Sequence, residues 1–99
     1  MLPQWRYVLD CSGLKPQPGG DYGDIEWFLI SPGGLGVKNM GSWVSPNKIV
    51  IDSAWAGAVW LIQHEMLHHL MQGGADHPVT PFSFPCFLQV GQNLPLPEE

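Results

Sequence analysis

An α+β fold, with a small and mainly antiparallel sheet packed on one long helix of about residues 54–72, is what the sequence predicts. Three observations predict it. Short runs rich in β-branched and aromatic residues fill the first half and are separated by Gly, Pro and Asp turns. A single long run from Ala54 to Gln72 is apolar on nearly every face, as a buried helix is. Beyond Pro78, prolines recur at 81, 85, 95 and 97 without periodicity, which reads as irregular chain.

Taken in order, Trp5 to Leu9 reads as a short strand and Ile25 to Ile30 as a stronger one. Trp43-Val44 and Lys48 to Ile51 read as the arms of a hairpin around Ser45-Pro46-Asn47. Asp52 or Ser53 is a suitable N-cap for the helix, and Gly73-Gly74 a suitable stop where a left-handed residue is needed. Residues 1–99 are expected to form one small domain, with 92–99 frayed. Five tryptophans and four phenylalanines fit a small core filled by bulky rings, and none is assigned to binding.

A net charge of −5 with only four basic residues leaves no basic patch, which argues against nucleic acid or an anionic membrane as partner. No apolar run approaches the roughly 20 residues of a membrane span, and no signal peptide is visible in the chain. A glycine-rich phosphate cradle at Gly33 to Gly36 is excluded because neither a Lys-Ser/Thr pair nor a helix follows it. A monomer is expected.

The chemistry concentrates at His64-Glu65-Met66-Leu67-His68, an HExxH sequence inside the predicted helix. Residues four apart on a helix lie one turn along and only about 40° round, so both imidazoles can hold one metal ion. Zinc is the expected cofactor, one catalytic ion, and Glu65 between the ligands can take a proton from a water that the ion activates. Burial makes the reading stronger. Two histidines and a glutamate on a buried helix would each cost about 1–3 kcal/mol if left unsatisfied, and a metal removes that cost.

A catalytic zinc usually has three protein ligands. The third is open between two residues beyond the glycine turn: His77, the first candidate, and Asp76, which can ligate or hold a ligand in place. The glycine and histidine that a metzincin carries after HExxH are replaced here by Met71 and Gly74, and the only later glutamates are Glu98 and Glu99. His69 lies about 100° round the helix from His68 and is expected to be a packed histidine facing away from the metal. Tyr7, Tyr22 and His69 are candidates to stabilise an oxyanion. Cys11 and Cys86 leave two possibilities open: a disulfide closing most of the chain, or Cys86 as a zinc thiolate.

Through His64, Glu65 and His68 the region resembles the zincin metallopeptidases. The whole chain is similar to a group of small secreted bacterial proteins described as metallopeptidases. The likeness runs through Cys11-Ser12-Gly13, Glu26-Trp27-Phe28, Trp43-Val44-Ser45-Pro46, HEMLH at 64–68, His77-Pro78, and Pro81-Phe82 followed by Cys86. It departs in the Gly33 to Gly41 region, where such proteins can carry a further cysteine pair and this chain has none. The resemblance implies a secreted zinc metallopeptidase with His64, His68 and His77 as ligands and Glu65 as general base and acid. It also implies a Cys11–Cys86 disulfide and an extracellular or periplasmic location. An endopeptidase acting on peptide or protein substrates is expected, with an edge strand available to pair with extended chain.

Three other readings are consistent with the residues, one of them a degenerate or inhibitor-like protein that keeps the fold without turnover, against which an intact Glu65 argues. Gln63-His64-Glu65 with His68 is also similar to peptide deformylase, although there the ligand cysteine follows a glycine-rich motif and here Cys11 precedes Gly33 to Gly36. A non-catalytic binding module, its zinc closed by four protein ligands such as His64, His68, His77 and Cys86, would leave Glu65 without a task.

Overall fold

The computed structural model describes residues 2–35, 40–73, 79–83 and 85–88. Helix α1 (Leu2–Ser12) leads into strand β1 (Glu26–Ile30), then β2 (Gly41–Val44), β3 (Lys48–Asp52) and helix α2 (Val59–Met71). The architecture is α+β, with α2 packed on a three-stranded sheet and on α1.

The N-terminal element corrects the sequence expectation. Trp5 to Leu9 alternates in a way that suits a strand, yet the chain is helical from Leu2 to Ser12. Tertiary packing decides this. Trp5 and Val8 are the buried pair, three residues apart on one helix face, and Leu9 and Cys11 pack on the core beside them. Pro3 is tolerated in the first turn, where its missing N–H costs nothing.

The sheet order is β1-β3-β2, with β2 antiparallel and β1 parallel to β3. The expected hairpin is therefore present, whereas the sheet as a whole is mixed rather than mainly antiparallel. Chain connectivity explains the difference. β2 and β3 are joined by a three-residue turn and must run oppositely, while β1 sits on the far side of β3 and reaches it through β2, a long connection of the kind parallel neighbours need. Ile49 and Ile51 of the central strand turn inward and join Leu61, Ile62, Met66, Leu67 and Leu70 of α2 in the core.

The long helix also begins later than expected, at Val59 rather than Ala54. Asp52 does act as a cap, but of a single 3-10 turn over Ser53–Trp55, its Oδ1 accepting from the Ala54 N–H at 2.8 Å. Its other oxygen accepts from the Gly33 N–H, also at 2.8 Å. The backbone then extends at Ala58 before α2 starts, so Gly57 falls in a break and not inside a helix. At the other end the stop lies within a residue of expectation. Gln72 is left-handed (φ 55°), and its side-chain amide donates to the carbonyls of Gly19, Pro46 and His69.

After α2 the described chain resumes at the irregular turn Val79–Ser83. Cys86 is bridged to Cys11 at the end of α1, with a Cα–Cα distance of 5.1 Å, and Tyr7 Oη donates to the Cys86 carbonyl at 2.6 Å. Among the described residues no helix is long and apolar enough to cross a membrane.

Candidate metal centre and active site

α2 buries its whole second half, from His64 to Leu70, because it lies between α1 and the sheet. His64, Glu65 and His68 are therefore removed from solvent together, with 6%, 4% and 3% of their surfaces exposed. The two imidazoles stand edge to face at a centroid separation of 4.9 Å. Phe82 packs against both, 5.1 Å from His64 and 4.8 Å from His68, and is itself wholly buried.

Each of these rings is oriented by a main-chain carbonyl. His64 Nδ1 lies 2.6 Å from the carbonyl oxygen of Leu88, and His68 Nδ1 lies 2.6 Å from that of Gly73. A carbonyl only accepts, so both Nδ1 atoms carry the proton. In the neutral rings the lone pair is then on Nε2, the tautomer that a histidine ligating through Nε2 requires. The residues fit a zinc ion in this respect: two borderline nitrogen donors, one helical turn apart, each with its opposite nitrogen held by a carbonyl.

Glu65 faces β2. A Cβ placed on Gly41 would lie 3.4 Å from Glu65 Oε2, and closer still to the ends of Ile51 and Leu61. The absence of a side chain at 41 lets the strand approach the carboxylate closely. His77 and Asp76, the candidates for the third ligand, lie outside the described residues. Among the described residues no group of three or more metal-ligating side chains is assembled.

The remaining candidates separate clearly. His69 is fully buried and faces β2 and the loop before β1: its Nδ1 accepts from Trp43 Nε1–H at 3.3 Å, and its Nε2–H donates to the Asp21 carbonyl at 2.7 Å. Both nitrogens are thus engaged away from any reacting group, in keeping with a packed histidine. Tyr7 is exposed with its hydroxyl on the Cys86 carbonyl, and the Tyr22 ring lies tilted against Trp5 at 5.9 Å, so neither hydroxyl is placed beside His64 and His68 by these contacts. Cys86 is held in the disulfide, and neither cysteine is free. An apolar hollow bordered by Trp27, Phe28, Leu29, Ile51, Ala56 and Ile62 includes none of the histidines and not Glu65.

Sequence reasoning missed Leu88 and Phe82 as parts of the site. A carbonyl that orients a histidine ring leaves no side-chain signature, so nothing at Leu88 could have marked it. Phe82 read as one aromatic among many. Gly73 was legible as a helix stop but not as the acceptor for His68.

No known family profile matches this chain, and no curated protein or solved structure does either, so what the site can do rests on its own residues.

Proposed function

We propose that the chain is a zinc-dependent metallopeptidase, acting as an endopeptidase outside the cytoplasm. His64 and His68 are two of the metal ligands, His77 is the third, and Glu65 is the general base and acid. One observation carries the reading: the two histidines of an HExxH helix both have Nδ1 held by a carbonyl, which leaves Nε2 as the donor on each.

When bound, zinc would polarise the scissile carbonyl and acidify a water. Glu65 supplies the proton handling. Its carboxylate takes a proton from the attacking water and delivers it to the leaving amine, a role suited to a carboxylate buried on the same helix as the two histidines. β2 lies at one end of the sheet, packs on α2 and carries Gly41 next to Glu65. These features support β2 as the strand along which an extended peptide pairs through main-chain hydrogen bonds. The disulfide supports an oxidising compartment, extracellular or periplasmic.

Cysteine ligation enters two of the competing readings. A deformylase-like site takes a cysteine beside its two histidines, and a closed structural site would take Cys86; with both cysteines bridged, neither thiolate is at hand. The test is hydrolysis of a quenched-fluorescent peptide library by the zinc-loaded protein, with Glu65→Gln in parallel. Turnover that disappears in the variant supports the peptidase. A protein that holds one zinc and cleaves nothing overturns it. The absorption spectrum of the cobalt form separates the structural site, because a thiolate ligand gives strong charge-transfer bands.

A further inference from the structure

His69 is a fully buried histidine that the proposed chemistry does not use. Its ring joins three parts of the molecule: α2, the indole N–H of Trp43 on β2, and the Asp21 carbonyl in the loop before β1. One helical turn earlier, Glu65 meets β2 at Gly41.

These two contacts share one register. Gly41 and Trp43 are two residues apart and so project from the same face of β2, about 7 Å apart along the strand. Glu65 and His69 are four apart on α2, about 6 Å along the helix. One strand repeat therefore matches one helical turn, and β2 runs beside α2 with Gly41 at Glu65 and Trp43 at His69. The Trp43–His69 bond is directional and wholly buried, whereas the Gly41–Glu65 approach is only a close packing contact. Sliding the strand along the helix would keep apolar contact but would break this bond.

We infer that His69 is a positioning residue, whose bond to Trp43 sets the height of β2 against α2 and hence the height of a β2-paired peptide relative to the Glu65 carboxylate. The inference rests on the reading of the chain as a peptidase with an extended peptide as ligand. His69 touches neither substrate nor metal in this account. It acts through Trp43.

Two conservative variants divide its hydrogen bonds. In His69→Asn the side-chain oxygen occupies roughly the place of Nδ1 and keeps the acceptor for Trp43. In His69→Gln the amide nitrogen reaches roughly the place of Nε2 and keeps the donor to Asp21, while the acceptor for Trp43 is lost. Trp43→Phe removes the same bond from the other side. The experiment measures kcat and KM for the zinc-loaded variants on a peptide long enough to pair along β2 and on a blocked dipeptide. Affinity for a phosphinic analogue of the long peptide is measured by calorimetry. His69→Gln and Trp43→Phe should each lower kcat/KM on the long peptide by about tenfold or more while leaving the blocked dipeptide nearly unchanged. The double variant should lose no more than either single, since both remove one bond. His69→Asn should retain most of the activity.

Equal losses on both substrates, additive losses in the double variant, or His69→Asn no better than His69→Gln would overturn the positioning role while the peptidase stands. A wild-type protein that binds the analogue but cleaves nothing overturns the peptidase reading instead, and the same ranking of variants in the affinities then decides for or against His69. A protein that neither binds nor cleaves overturns both.

Discussion

His64 donates from Nδ1 to the main-chain carbonyl of Leu88 over 2.6 Å, and Leu88 stands two residues beyond the cysteine bridged to Cys11. The segment that carries this carbonyl is held at several points. Leu88 N–H donates to the Phe82 carbonyl at 2.6 Å, Cys86 N–H to the Pro81 carbonyl at 3.1 Å, and Tyr7 Oη to the Cys86 carbonyl. A covalent link made at the end of α1 thus reaches, through a few bonds, the ring of a proposed metal ligand on α2.

The first prediction concerns that link. Replacing both cysteines by serine should cost about 2–5 kcal/mol of stability. It should also weaken zinc binding by about 10–100-fold, because the Leu88 carbonyl loses its fixed position. Chelator competition on the folded fraction measures the second effect separately from denaturant unfolding. Unchanged zinc affinity would show that Leu88 is held without the bridge.

Phe82 is wholly buried and touches both imidazoles. Phe82→Ala should destabilise by about 3–5 kcal/mol, as large aromatic truncations in cores do. Phe82→Leu should retain most of the stability yet still loosen the rings, which would appear as weaker zinc binding in the same competition assay.

Of the described glycines, Gly20 is the one where an added Cβ would come nearest to another atom. A Cβ there would lie 2.6 Å from the His69 carbonyl oxygen and 3.0 Å from that of Leu70. Backbone on both sides leaves little room to relax, so Gly20→Ala should lower stability by about 1–3 kcal/mol. For a chain of this size that corresponds to a fall in Tm of roughly 4–8 °C per kcal/mol, measurable by calorimetry. A variant melting with the wild type would mean that the loop shifts freely from the C-terminal end of α2.

At Gly41 the prediction is different, because the neighbours are the tips of Ile51, Leu61 and Glu65. Gly41→Val should reduce turnover sharply while zinc stoichiometry stays at one per chain, since the branched side chain displaces β2 from the Glu65 carboxylate. Metal analysis beside the peptide assay separates this outcome from general misfolding.

Glu65→Gln and His64→Ala should fail in different ways. The first should keep zinc and lose about 10²–10⁴-fold in kcat, the range for removing a general base. The second should lose the metal. Equal zinc content in the two variants, or wild-type turnover in either, would sink the assignment of roles.

Much of the architecture was legible in local chemistry. The hairpin around Ser45–Asn47, the strand ending at Ile30 and the helix end near Gln72 all follow from turn residues and β-branched runs. The N-terminal segment was not legible, because Trp5, Tyr7 and Leu9 alternate like a strand while burial selects Trp5 and Val8. The start of α2 was missed for a related reason: Asp52 caps a turn that stops at once, and local signals do not reveal how far a capped turn continues.

By itself the sequence determined which side chains stand together on one helix, since the spacing of His64, Glu65 and His68 is fixed by helical periodicity. Only the tertiary structure decided which main-chain or indole group each histidine nitrogen meets. Those facts depend on the carbonyls of Leu88, Gly73 and Asp21 and the indole of Trp43. Main-chain groups are the same at every residue, so their roles come into being only when folding brings distant parts of the chain within hydrogen-bonding distance.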